Sequence, residues 1–195
     1  MKKYYAIKSE SAKVVVDSWD ECKKLIEEMK NPKYKSFLTI EEANAFLDDI
    51  ILDDKINEPK AYIDGSFDSN TNSYSFGGIL IIDNKEYKFK KAYQADEFSK
   101  YRNVAGEIKG AAYIINHSIN LGIKRLHIFY DYEGIEKWFL GIWKANTDIS
   151  KKYQEYANSI NGKIDVIFHK VKGHSNNHYN EMADELAKEA LNIKK

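Results

Sequence analysis

The chain has 195 residues, with 30 lysines and arginines balanced by 30 aspartates and glutamates, so its formal net charge is zero. That excludes binding to an anionic partner by bulk charge, and any such surface must be a local patch. The single cysteine, Cys22, excludes a disulfide framework and a cysteine-based zinc cluster. A lone thiol fits a reducing, cytoplasmic setting. The start, "MKKYYAIKSE", shows lysines with no apolar stretch behind them, and no run approaches the roughly 18 apolar residues of a membrane span.

In chain order, "YYAIK" and "KVVVD" read as strands. "SWDECKKLIEEMK" reads as a helix. Its apolar residues Trp19, Cys22, Leu25, Ile26 and Met29 recur at helical period, and Ser18 with Glu21 has capping-box spacing. "YKSFL" is a short strand. Thr39 with Glu42 repeats the capping-box spacing and opens a helix with an apolar face of Ala43, Phe46, Leu47 and Ile50. The polar stretch 51–59, closed by Pro59, separates this small unit (1–50) from a larger one (60–195).

The larger unit begins with three strands, "AYIDGSF", "YSFGGILII" and "KEYKFKKAY". A helix follows over "NVAGEIKGAAYIINHSIN", with Ile108, Ala111, Ala112, Ile115 and Ile119 on its buried side. "RLHIFYD" is apolar enough for a central strand. Helices over "EGIEKWFLGIW" and "SKKYQEYANSI", a strand over "KIDVIFHKV" and a final helix over "YNEMADELAKEAL" complete the order. Three strands and then α-β-α-α-β-α predict a mixed sheet with packed helices.

Four carboxylates stand out by position. Asp64 interrupts an apolar strand, where an unpaired charge is costly. Glu107 lies near the start of a helix among small apolar residues. Asp131 ends an apolar strand, a place where α/β folds put functional groups. Asp184 follows a loop rich in glycine and asparagine. Each has a plainer reading: an Asp-Gly turn for Asp64, a first-turn carboxylate for Glu107, a helix cap for Asp131 and a solvated helix face for Asp184. His174 and His178 stand as H-x-x-x-H, the spacing of zinc hydrolases. However, "GHSNNHYN" is loop-like, and Ser175 occupies the place of the glutamate such a site needs. His169 and His178 read as structural or solvated.

As a set, "YIDGSF", "NVAGEI", "IFYD" and "VKGHSNNHYNEMADELA" resemble the D-E-D-D pattern of the type 1 ribonuclease H family over residues 60–193. The resemblance implies an α/β fold with a five-stranded mixed sheet and helices on both faces. It implies hydrolysis of the RNA strand of RNA–DNA hybrids by two metal ions, Mg²⁺ or Mn²⁺ in its place, held by Asp64, Glu107, Asp131 and Asp184. Oxygen-only ligands suit such hard cations. By the same resemblance, His174 assists proton transfer or product release, and Asn70 and Asn103 touch substrate. Trp138 and Trp143, with Lys144, resemble a helix that contacts the DNA strand. Arg102, Val104 and Tyr132 depart from the family pattern.

Residues 3–49 resemble the hybrid-binding, viroplasmin-like domain found ahead of many type 1 enzymes. That likeness implies that Trp19 packs on a DNA sugar and that Lys33, Tyr34, Lys35 and Phe37 line a nucleic-acid surface. Ser36 replaces a usual lysine, and the glycines that normally flank the first turn are absent. Trp19 as a core helix residue is the plainer reading. The expected partner is an RNA–DNA hybrid, with double-stranded RNA as a second candidate, and the expected state is a monomer. A non-catalytic hybrid- or double-stranded-RNA-binding protein is the alternative. Four clustered acids facing phosphate count against it.

Overall fold

The alternation in "YYAIK" and "KVVV" forms β1 (Tyr4–Lys8) and β2 (Lys13–Val16), followed by α1 (Trp19–Glu28), β3 (Lys33–Phe37) and α2 (Ile40–Leu47). The computed structural model describes residues 3–9, 12–47, 56–171 and 177–193 and divides the chain into two units, 1–55 and 56–195. In the first unit β1 is central and antiparallel to both neighbours, in the order β2-β1-β3. The period of two sends alternate side chains to opposite faces. Tyr4, Ala6, Val15 and Phe37 meet Ala43, Phe46 and Leu47 of α2, whereas Tyr5, Ile7, Val14 and Val16 meet Cys22, Leu25, Ile26 and Met29 of α1.

Ser18 has the extended backbone of an N-cap, but its side chain makes no capping hydrogen bond. Asp20 and Glu21 in the first turn complement the helix dipole instead. The expected Thr39–Glu42 box turns on the Glu42 side chain, which is not described, and Ile50 lies outside the described residues.

The second unit contains β4 (Lys60–Asp68), β5 (Ser73–Ile82), β6 (Lys85–Tyr93), a 3₁₀ turn (Ser99–Tyr101), α3 (Asn103–Asn120), β7 (Arg125–Tyr130), α4 (Gly134–Phe139), α5 (Asp148–Ser159), β8 (Asp165–Lys170) and α6 (His178–Ala190). Its sheet runs β6-β5-β4-β7-β8. The first three strands form an antiparallel meander, and β4, β7 and β8 are parallel. The sheet is therefore mixed, as the sequence predicts. The main core lies between the sheet and α3, where Ala61, Ile63, Leu80 and Ile128 meet Ala111, Ile114 and Ile115. The opposite face of β4 and β5 carries α6.

Two close approaches fix these helices. A Cβ on Gly65 would strike the Asn103 carbonyl and the Glu107 amide, so the absence of a side chain lets the start of α3 sit against β4. A Cβ on Gly77 would strike the Ala183 carbonyl and the Ala187 amide of α6, and next to it Ser75 Oγ donates to the Ala187 carbonyl at 2.6 Å.

α6 starts at His178, so this residue is helical and exposed and does not lie in the loop. The cause is Asn177, whose side-chain oxygen accepts from the Tyr179 and Asn180 amides at 3.1 Å each. Residues 172–176, which include His174, lie outside the described residues. His169 is structural. It stacks on Phe129 with ring centroids 4.7 Å apart, and burial pulls its pKa down to about 4. Its Nε2 lies 2.7 Å from His127 Nδ1, and His127 Nε2 lies 2.8 Å from the Glu58 carboxylate. Together with the Pro59 carbonyl, which accepts from the His127 amide, this chain ties residues 58–59 to β7. Among the described residues, no helix is long and apolar enough to cross a membrane.

Gly77→Ala forces backbone apart on both sides of a packed helix. The expected cost is about 3 kcal/mol, read as a lower urea midpoint with an unchanged slope.

Candidate active site

Asp64 sits inside β4, opposite Gly77 of β5. This is strand, so the Asp-Gly turn reading fails. Asp131 directly follows β7, the parallel neighbour of β4. It does not cap α4, whose N-cap is Glu133. Glu107 is the fifth residue of α3, only 2% exposed, and the first turn of that helix holds no acid. Its carboxylate therefore lies in the interior and not at the dipole. These three residues each bring a carboxylate oxygen within 4.8 Å of the others.

Their electrostatics follow from that crowding. Burial first, and then the charge of Asp131, pushes Asp64 up to about 7, against a hydrogen bond from the Gly65 amide at 2.7 Å. Burial, Asp131 and Asp64 together raise Glu107 well above the usual carboxylate range, opposed only by the Asn103 amide at 3.2 Å. No lysine or arginine forms an ion pair with Asp64 or Glu107 among the described residues. Three like charges facing one space repel unless protons or a cation intervene. The donors are all oxygen, which fits a hard divalent ion and not zinc. Asp64, Glu107 and Asp131 are therefore the residues that could hold one.

Asp184 stands apart from this trio. Its charge is felt at Asp64, but its carboxylate is bound to Lys188 Nζ at 2.6 Å, one helical turn on. Sequence reading overlooked Lys188, although the i,i+4 spacing was visible.

The expected substrate contacts are distributed unevenly. Asn103, exposed at the first position of α3, reaches the site through Glu107. Tyr132 borders it as well, since the Glu107 charge helps raise its phenol. Trp138 lies 5.7 Å from Tyr132 and 5.9 Å from Trp143, extending an aromatic edge outward from the acids. Asn70 lies exposed in the β4–β5 turn with its amide bonded to Asp68, and the structure does not bring it to the carboxylates.

In the first unit Trp19 is 42% exposed, so it is not a core residue, and its ring lies 6.2 Å from that of Tyr34, which is 50% exposed. Lys35 covers Phe37, which packs on Phe46 on the other sheet face. Lys33 shares the face of Lys35 by strand alternation. The expected surface is thus split across the two sides of edge strand β3: Trp19 and Tyr34 on one, Lys33, Lys35 and Phe37 on the other.

The crowding has a measurable consequence in the metal-free protein. A folded Asp64 holding its proton up to about 7, against an ordinary value of 3.8, makes the fold lose stability as pH rises between those values. Asp64→Asn removes that loss. In chelator at pH 8 the variant should melt roughly 5 °C or more above the parent, and the gap should close toward pH 4. Magnesium should raise the parent's melting temperature at pH 8 and leave the variant's almost unchanged. Equal melting curves at pH 8 would remove the crowding argument.

Comparison with known proteins agrees with this geometry. Residues 3–47 match the family described as "Ribonuclease H1 N-terminal domain", and residues 57–192 match the family described as "RNase H". A ribonuclease H of Chlorobium phaeobacteroides is 27% identical over 147 residues, covering 67% of this chain and 92% of that protein. The RNase H1 of the archaeon Halobacterium salinarum superposes with a TM-score of 0.59 at 21% identity, over 70% of this chain and 99% of that one. LC11-RNase H1 in complex with an RNA/DNA hybrid gives 0.52 at 14% identity, over 69% and 99%. The chain belongs to the ribonuclease H family of enzymes, with a ribonuclease H1 N-terminal domain ahead of its ribonuclease H domain.

Proposed function

We propose that the protein hydrolyses the RNA strand of RNA–DNA hybrids at internal phosphodiesters, leaving 3′-hydroxyl and 5′-phosphate ends, and that it acts as a monomer. The observation that carries this reading is the convergence of Asp64, Glu107 and Asp131 within 4.8 Å, in a chain of this family. A structural neighbour solved with an RNA/DNA hybrid supports the substrate class. Asp184 is the fourth carboxylate of the proposed set, held in reserve by Lys188.

Asp64, Glu107, Asp131 and Asp184 would hold magnesium, or manganese in its place, which would supply an activated water and neutralise charge at the departing 3′-oxygen. The chain's own groups do the positioning. The Gly65 amide fixes the Asp64 carboxylate, and the Asn103 side chain fixes that of Glu107. Tyr132 and Trp138 form an aromatic edge beside the carboxylates. His174, outside the described residues, takes the proton-handling role that the sequence resemblance implies. A 2′-hydroxyl on one strand and a deoxy backbone on the other define the substrate. The exposed Trp19–Tyr34 pair and the lysines of β3 give the N-terminal domain a backbone-reading surface, which tethers substrate and raises its effective concentration.

The test compares a labelled RNA–DNA hybrid, a double-stranded RNA and a double-stranded DNA with Mg²⁺ or Mn²⁺. Cleavage should be confined to the RNA of the hybrid. Asp64→Asn should abolish it while leaving hybrid affinity equal or tighter, and undiminished cleavage in that variant would sink the assignment. Trp19→Ala should weaken hybrid binding through loss of the ring's contact with a DNA sugar. Equal affinity with and without residues 1–50 would remove the proposed tether.

A further inference from the structure

Edge strand β6 treats its two faces differently. On the α6 face, Lys90 pairs with Glu189 at 3.0 Å and Lys88 with Glu86 at 3.9 Å. On the α3 face, the strand presents Lys85, Tyr87, Phe89, Lys91 and Tyr93 at alternate positions, roughly 7 Å apart. Lys85 and Lys91, and Lys109 of α3, form no ion pair among the described residues. Charge on an edge strand guards against aggregation whichever face bears it. That need does not explain why the lysines are neutralised on one face and left uncompensated on the other.

The uncompensated lysines lie among aromatic rings. Lys91 covers Tyr93 at 5.2 Å, and Lys109 lies over both Tyr93 and Phe98, at 5.7 and 5.0 Å. Tyr113 and His117 continue the surface along α3, with Phe89 at 5.6 and 4.8 Å from them. Tyr87 is 43% exposed and Tyr113 41%, so both offer ring surface to solvent. Beyond Lys109, a cavity of about 180 Å³ opens between α3 and α5, lined by Phe98, Ile108, Tyr153 and Tyr156 with Lys109 and Lys152 at its sides. It is smaller than drug-sized pockets of roughly 300 Å³ and above, so it suits one flat ring system. The acids nearby are already engaged: Asp96 accepts from Tyr74 and Glu97 pairs with Lys152.

We propose that this face, from the exposed side of β6 across α3 to the α3–α5 cavity, is a second nucleic-acid site that takes an unpaired strand. Lysines spaced along a strand and left without ion-pair partners among the described residues suit a phosphate backbone. Exposed rings between them favour flat partners, and among nucleic acids it is unpaired bases that offer a free face. A paired duplex hides those faces, and an acidic peptide would use the lysines but not the rings. The site is separate from the carboxylates and needs no hydrolysis.

The test measures fluorescence anisotropy of labelled oligo-dT and oligo-U, about fifteen nucleotides long, on the full chain in chelator. The double variant Lys85→Glu with Lys91→Glu should weaken binding about tenfold or more. It should also reduce the log–log salt slope by about 1.4, two phosphate contacts at about 0.7 each. Tyr113→Ala should weaken binding about fivefold with the slope unchanged. Cleavage of a short blunt hybrid should stay at the parent's rate in all variants, and matching melting curves establish that they are folded. Unchanged oligonucleotide affinity in the folded variants overturns the proposal. So does loss of polyglutamate binding without loss of oligonucleotide binding, which assigns the face to an acidic protein. Failure of the hybrid-cleavage reading would leave these binding results intact.

Discussion

The molecule's second unit is organised around a repulsion. Asp64, Glu107 and Asp131 are held close enough that burial and mutual charge raise the first to about 7 and the second well above its ordinary range. A flexible scaffold would relax by letting the carboxylates swing apart. This one does not, because each acid is anchored by an element that cannot move without disturbing the core. β4 and β7 are paired in the sheet centre, and α3 is locked against them by Ile108, Ala111 and Ile115.

The lock depends on small residues as much as on large ones. Gly65 lets the backbone at the start of α3 touch β4, which brings Glu107 over Asp64. Gly77 does the same for α6 on the other face and sets where Asp184 stands. The charge crowding that results is held in place by the packed interior around it. The hydrogen bonds from Gly65 and Asn103 and the charge of Lys188 reduce the cost without cancelling it, since Asp64 and Glu107 both stay raised.

The surfaces meant for larger partners are built on the opposite principle, with exposed rings and lysines in place of buried acids. Trp19 and Tyr34 lie on one side of β3 and its lysines on the other, so an edge strand presents chemistry to both sides of whatever it meets. Strand β6 is another edge that carries aromatic and basic residues together. The described ion pairs of β6, Lys90 with Glu189 and Lys88 with Glu86, lie on its α6 face.

Much of this was legible in the sequence. Period-two and period-3.6 patterns gave every strand and helix in order, because burial of a sheet face or helix stripe leaves a one-dimensional trace. Asp64 and Asp131 were visible as charges in or beside apolar strands, whereas the four acids became a set only through the resemblance to the ribonuclease H family. What a linear pattern could not hold was distance between segments. The sequence did not reveal that Asp64, Glu107 and Asp131 crowd together, or that Asn70 stays away from the carboxylates. Nor did it reveal that Glu58, His127 and His169 join three separate segments. Those outcomes depend on which strands become neighbours and how closely helices approach them. Only the tertiary structure decides that, through contacts between residues far apart in the chain.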